Sequence, residues 1–428
     1  MASDGRLARE LGLAGVTLSG IGIILGAGIY ALIGVAAGQA GNAVWLSFVI
    51  SAVAALFTAL SYAELASLFP RSGAEYEYTA AAISDFVGFI VGWLNILSGI
   101  IAAAAVALGF GGYFASLTGS SVLVPAAVLV AGLTLVLLIG IRESAYVAGI
   151  FTLVEAGGLV LVIIAGIPFI GRVDYLEMPL GLPGVFTAAA LVFFAFLGFE
   201  EMVKLSEETR DAERIIPRAL ILALAVCTIL YILVCISAVS VLSWEELAAS
   251  DAPFAAVAEA AWGERAAGAL SVIALFATAN TVLLMLLAAS RISYGMARSG
   301  TLPRLLSWVH PGRRTPWIAV IAVAAGAVMF LFAGDIGFVA NVSNFTIFVT
   351  FIMVNSAVIL LRLTLPEKTR PFRVPGRIGK VPVTPVLGIL SCAFLFVQLT
   401  FEVIVIGALL TIIGGIAALF AGTRIPEA

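Results

Sequence analysis

Four stretches of this chain, residues 11–63, 86–141, 219–244 and 266–290, contain no Asp, Glu, Lys or Arg. An apolar helix of about 20 residues crosses a bilayer core, so each stretch is long enough for at least one crossing. A spanning backbone must also satisfy its own polar groups, and an α-helix does so within one segment. Of the 428 residues, 62% are hydrophobic and 11% charged, whereas soluble domains run about half apolar and a quarter charged. The chain therefore reads as an all-α polytopic membrane protein with the lipid bilayer as its surroundings. A net charge of −3 and the lack of any dense Lys/Arg run exclude nucleic acid as a partner.

Cutting the apolar stretches at their Pro, Gly and charge punctuation gives twelve transmembrane helices. The first six are expected over residues 12–37, 42–69, 80–115, 122–141, 144–169 and 184–203. The second six are expected over 217–242, 266–296, 316–333, 337–361, 382–400 and 403–422. With a cytoplasmic N-terminus, all of the 22 Lys and Arg except Arg172 and Arg265 fall in inside loops. That bias sets the orientation and puts both termini in the cytoplasm. The N-terminal stretch shows no small-residue cleavage site and reads as a retained tail, which fits a prokaryotic inner membrane. His310 lies among prolines and arginines with no second ligand in view, so no metal site and no cofactor is expected.

Two spans are interrupted. The first carries Gly20, Gly22, Gly26 and Gly28, each costing about 1 kcal/mol relative to alanine inside a helix. The sixth runs through Phe193, Phe194, Ala195, Phe196 and Leu197 to a lone Gly198, then to Glu200 and Glu201. The interruptions lie five spans apart, and an odd offset inverts the second copy relative to the first. Matching interruptions in two inverted halves point to the binding site of a secondary transporter.

Several blocks then carry a resemblance: residues 26–30 (GAGIY), 61–73 (SYAELASLFPRSG), 193–201, 214–219 (RIIPRA), 294–300 (YGMARSG) and 370–375 (RPFRVP). In this order they resemble the amino acid/polyamine/organocation superfamily, closest to prokaryotic amino-acid permeases related to the cationic amino acid transporters. The resemblance covers about residues 10 to 380. It implies one transmembrane transporter domain with a five-plus-five inverted repeat, residues 11–170 and 184–365, working by alternating access. Residues 382–422 would supply two peripheral helices.

Unwinding at Gly26, Ala27 and Gly28 exposes backbone N–H groups at a helix start, where a carboxylate is favoured. The freed carbonyls of Phe194, Ala195 and Leu197, in similar family members, accept the substrate's α-ammonium. Such a pair of sites describes an amino acid. Its side chain would lie against Ile23, Phe194, Phe196 and Ser98 or Asn95. No unpaired acid clearly faces that pocket except Glu200, which favours neutral substrates over cationic ones.

Carboxylates at membrane depth each ask for a reason. Glu64, at the inner end of the second span, is expected to pair with a basic residue such as Arg71 or Arg142. Glu200 stands where the family pattern carries an acid that helps gate the path or sense protons; the alternative is a bond to backbone N–H groups beside the break. Glu155 occupies a position where several related permeases place a lysine. A buried carboxyl with no cation nearby favours its protonated form, so Glu155 suits a proton carrier. Alternatively, with Thr278, Asn280, Thr281 and carbonyls near Ile23, it suits sodium, a hard cation that prefers oxygen ligands.

The expectation is proton-coupled uptake of small or medium neutral amino acids. An amino-acid exchanger, a sodium symporter and a non-transporting sensor stay open beside it. No nucleophile with its base, metal-ligand cluster or phosphate loop appears, so an enzyme is not expected.

Overall fold

The computed structural model describes residues 11–69, 74–139, 145–207, 209–313 and 315–421. The first half comprises α1 (Leu13–Ile24), α2 (Gly28–Ala40), α3 (Val44–Leu68), α4 (Ala74–Ala82), α5 (Asp85–Thr118), α6 (Leu123–Ile139), α7 (Ala145–Gly166) and α8 (Gly181–Val192). After a 3-10 region come α9 (Ala212–Val241), α10 (Trp244–Ala249), α11 (Pro253–Trp262), α12 (Glu264–Arg298), α13 (Trp317–Phe330), α14 (Ile336–Thr364), α15 (Val383–Phe396) and α16 (Phe401–Ala421). A two-residue antiparallel hairpin, β1 (Arg377–Ile378) with β2 (Val381–Pro382), precedes α15. Among the described residues, eight helical stretches are long and apolar enough to cross a membrane, and α1, α6, α13 and α15 are shorter apolar helices. The protein is therefore a polytopic helical membrane protein.

Each expected stretch contains a helix, with local differences. The region expected to start a span at residue 80 holds two helices, α4 and α5, separated by Ser84 in an extended conformation. Ser84 Oγ accepts the Val87 N–H at 3.3 Å, and Asp85 occupies the first turn of α5. Both features favour a new helix start there. Asp335 caps α14 in the same way through Phe338 N–H at 2.9 Å. Ser243 and Glu246 form a reciprocal capping box on α10.

The centre of the molecule is α5, lying against α12 on one side and α14 on another. Small side chains allow this: Gly99 of α5 faces Ala289 of α12, where an added Cβ would be 3.0 Å from the Ala289 Cβ. Close backbone approach of this kind drives helix packing where the solvent is as apolar as the side chains.

Glu64, completely buried near the end of α3, shows how an acid is kept in such surroundings. Arg362 of α14 donates to both carboxylate oxygens, and Val374 N–H donates at 2.8 Å. Arg370 Nε lies 3.5 Å from Glu64 Oε1, while its other nitrogens bond the carbonyls of Leu361, Leu365 and Lys368. Burial lowers the Arg370 guanidinium from its ordinary pKa, and Glu64 opposes that shift. The expected basic partner is thus present but is supplied by α14 and the segment after it. Arg71 and Arg142, the partners suggested by nearness in sequence, lie outside the described residues. A pairing across about 300 residues leaves no local trace in the chain.

Candidate functional site

The first interruption lies between α1 and α2, where residues 25–27 join two half-helices. The second begins at the end of α8. A 3-10 turn covers Phe193–Phe196, Leu197 is extended with ψ 144°, and Gly198 takes φ +112°. The chain resumes as a 3-10 helix over Phe199–Glu207 rather than as the α-helix expected to residue 203.

The two breaks cross in direct contact, and a glycine from each permits it. A Cβ on Gly28 would lie 2.8 Å from the Cα of Ala195, and a Cβ on Gly198 would lie 2.9 Å from the carbonyl oxygen of Ile23. Contacts under 3.0 Å to backbone cannot be relieved by turning a side chain. Tyr231 of α9, fully buried, adds a third link: its hydroxyl lies 2.8 Å from Ile24 O and 2.9 Å from Ala195 O. A phenol has one proton to donate, so the two carbonyls, one from each break, share it.

Beside the crossing is a cavity of about 160 Å³. Of the residues singled out from sequence, Ile23, Gly26, Glu155, Leu197, Glu200 and Thr281 line it, together with Asn95 and Ser98 of α5. Ala27, Gly28, Phe194, Ala195 and Thr278 do not. Ala27 N–H donates to Thr281 Oγ1 at 3.0 Å, Ala195 O accepts from Tyr231, and Phe194 O accepts Leu197 N–H at 3.3 Å. Thr278 is turned onto its own helix, donating to Ala274 O at 2.7 Å. Phe194 is buried in the core, and Phe196 packs edge-on against Tyr231. Aliphatic walls come instead from Ala102 of α5, Leu284, Met285, Ala288, Ala289 and Ile292 of α12, and Ile347 of α14.

Among the described residues, four carboxylates line the cavity, Glu75, Glu155, Glu200 and Glu201. Glu155 accepts from Asn280 Nδ2 at 3.2 Å. Glu200 bends back to accept Gly198 N–H at 2.9 Å, so it meets the freed backbone and the cavity together. Glu75 accepts from the Tyr62 hydroxyl at 3.2 Å. Glu75 was not singled out from sequence, since it falls between the second and third expected spans. Its signal was helical spacing: Glu75, Tyr78 and Thr79, at i, i+3 and i+4, form the buried face of α4. Among the described residues no cluster of three His, Cys, Asp or Glu is arranged to hold a metal ion.

Along α12 the lining runs from Asn280 to Ile292, toward the helix end carrying Arg298. On the other side of the first break the core is closed. Tyr30 stacks edge-on against Phe254, with ring centroids 5.2 Å apart, and donates to Glu155 O at 2.6 Å. Tyr113 donates to Tyr30 O at 2.9 Å, and all three rings are fully buried. The cavity lining thus runs from the breaks toward the Arg298 end of α12. Paired broken helices around a small cavity with mostly apolar walls, and with backbone groups of both breaks at its edge, suit binding of a small zwitterion.

Comparison with known proteins agrees with that geometry. The family model described as amino acid permease matches residues 11–421. The chain is 36% identical over 421 residues to the branched-chain amino acid permease BcaP of Bacillus subtilis, covering 93% of this chain and 90% of that one. It is 34% identical to the methylthioribose transporter of the same organism, covering 92% and 89%. It is 31% identical to the vacuolar cationic amino acid transporter 2 of Arabidopsis thaliana, covering 88% of this chain and 63% of the relative.

Proposed function

The chain belongs to the amino acid permease family, whose members are transporters rather than enzymes, and we propose that it takes up small or medium neutral amino acids with protons by alternating access. In this reading twelve helices cross the plasma membrane with both termini in the cytoplasm. Residues 11–170 and 184–365 form the inverted repeats, and 382–422 the peripheral pair. The cavity at the basic end is then open to the cytoplasm, and the Tyr30, Tyr113 and Phe254 layer closes the outer path.

The observation that carries the reading is the cavity where the two helix breaks cross, bounded by Gly26 and Ile23 from one and by Leu197 and Gly198 from the other. The aliphatic walls from α12 and α14 favour an apolar side chain. Glu155, 1% exposed and held by one amide donor, is the carboxyl we assign to the transported proton. A protonated carboxyl removes the cost of a charge at that depth and gains a donor of its own.

The test is uptake of labelled amino acids into liposomes under a pH gradient, a sodium gradient or neither, comparing wild type with Glu155→Gln. Accumulation driven by the pH gradient and abolished in the glutamine variant is expected. Uptake that needs only internal amino acid and survives the change makes the protein an exchanger; uptake that follows sodium makes it a sodium symporter. One observation favours a second reading of the substrate: Glu155 and Glu200 both line the cavity and could also receive a cationic amino acid. Arginine and lysine in the same panel separate the two.

A further inference from the structure

Unwinding between α1 and α2 frees backbone N–H groups, yet Ala27 N–H is already engaged by Thr281 Oγ1 at 3.0 Å. A buried N–H needs an acceptor, and the one it has stands on α12, across the cavity wall. Thr281 is 8% exposed and lines the cavity, and a Cβ on neighbouring Gly26 would be 3.2 Å from the same hydroxyl oxygen. The hydroxyl donates onward to Ala277 O at 3.0 Å, one helical turn back. Threonine in a helix has two accessible χ1 rotamers, so this oxygen can leave Ala27 without any backbone movement.

We propose that Thr281 competes with the substrate carboxylate for the Ala27 N–H, its hydroxyl oxygen holding the position that a carboxylate oxygen takes on binding. The inference rests on the reading that the first break receives the carboxylate. A carboxylate forms a charge-assisted bond about twice as strong as a neutral hydroxyl does, so it displaces Thr281 where an uncharged amide or ester cannot. Affinity is given up in exchange for discrimination: a ligand without the anionic group leaves Ala27 bonded to Thr281. The same contact ties the first break to α12, so a departing carboxylate hands Ala27 back to a ready acceptor.

Most substitutions at a binding site weaken binding, and here the expected sign is opposite. Thr281→Val keeps the shape and removes the acceptor, leaving Ala27 N–H to the ligand alone. The experiment measures equilibrium binding of the twenty labelled amino acids to purified protein, then repeats the best binder, and its carboxamide analogue, with Thr281→Val and Thr281→Ser. Thr281→Val is expected to bind the amino acid roughly three- to tenfold more tightly, the worth of one net hydrogen bond. Thr281→Ser should match wild type, and the carboxamide, whose carbonyl can accept the freed N–H, should bind weakly to wild type and Thr281→Ser and more tightly to the valine variant. Unchanged or weaker amino-acid binding by Thr281→Val overturns the competition, as does a carboxamide that binds wild type as tightly as the amino acid does. Binding of none of the twenty by wild type or variants overturns the amino-acid reading, and this inference with it.

Discussion

Gly198→Ala adds one methyl group at the point where the two breaks meet. Its Cβ would lie 2.8 Å from Ile23 Cγ2 and 2.9 Å from Ile23 O, on a residue whose φ is +112°. That conformation costs a residue other than glycine about 1–3 kcal/mol. The Ile23 methyl can rotate away, but its carbonyl is backbone, so the crossing itself must open at about 1–3 kcal/mol for overpacking. The sum, about 2–6 kcal/mol, falls on the break-to-break contact and leaves the rest of each helix alone. Gly157→Ala is the control: it lies inside α7 with no atom within 4 Å of an added Cβ, and alanine there is worth up to about 1 kcal/mol in helix propensity. Uptake into liposomes and thermal unfolding in detergent should be measured on both. At the low estimate of about 2 kcal/mol, Gly198→Ala shifts the crossing roughly thirtyfold toward an opened form, lowering both uptake and melting temperature, while Gly157→Ala keeps wild-type uptake and melts no lower. Wild-type uptake and melting by Gly198→Ala would refute the claim that the breaks touch there.

Tyr231→Phe removes the one proton that Ile24 O and Ala195 O share, at about 1–3 kcal/mol for the bond lost. Transport should fall at least tenfold while the folded helix content by circular dichroism stays unchanged; unaltered uptake kinetics would show that the hydroxyl is idle. Glu64→Gln strands Arg362 and Arg370 at a buried site, and breaking a buried pair from one side costs about 3–5 kcal/mol. Its unfolding temperature should drop well below that of wild type, and a variant as stable as wild type would mean that water reaches the two guanidinium groups.

Much of the architecture could be read from the chain because lipid simplifies the problem. Charge-free runs must be helices, and a helix is found in every stretch so delimited. The breaks were also visible, because glycine density in the first and a lone Gly198 before two acids in the sixth stand out against uninterrupted apolar sequence. What stayed hidden depends on contacts far apart in the sequence. Arg362 reaches Glu64 from α14, Thr281 reaches Ala27 from α12, and Tyr231 reaches both breaks from α9. Each of these side chains is an ordinary residue on its own helix, and only the fold gives it a partner. The expected pocket aromatics failed for a related reason. In the 3-10 turn at Phe193–Phe196, Phe194 and Phe196 are buried in the core and do not reach the cavity wall.

The distribution of contacts also says which parts can move together. Gly28 against Ala195, Gly198 against Ile23 and the Tyr231 bridge join the two breaks through backbone-tight contacts on both faces. The link continues along α1: Arg210 N–H donates to Leu11 O at 3.0 Å, and Met202 fills the space at Gly20. Across the cavity, by contrast, Ala27 meets α12 through the single Thr281 hydroxyl, and Glu155 meets it through the single Asn280 amide. Separating the breaks from each other exposes backbone carbonyls in a medium that cannot satisfy them, at about 1–3 kcal/mol apiece. Parting Ala27 from Thr281 exchanges one hydrogen bond for another whenever a ligand or water takes its place, at a net cost near zero. Motion that opens the site to the other membrane face should therefore carry both breaks as one body past α5 and α12. A disulfide between cysteines placed at Ala27 and Thr281 should stop transport, and reducing it should restore transport.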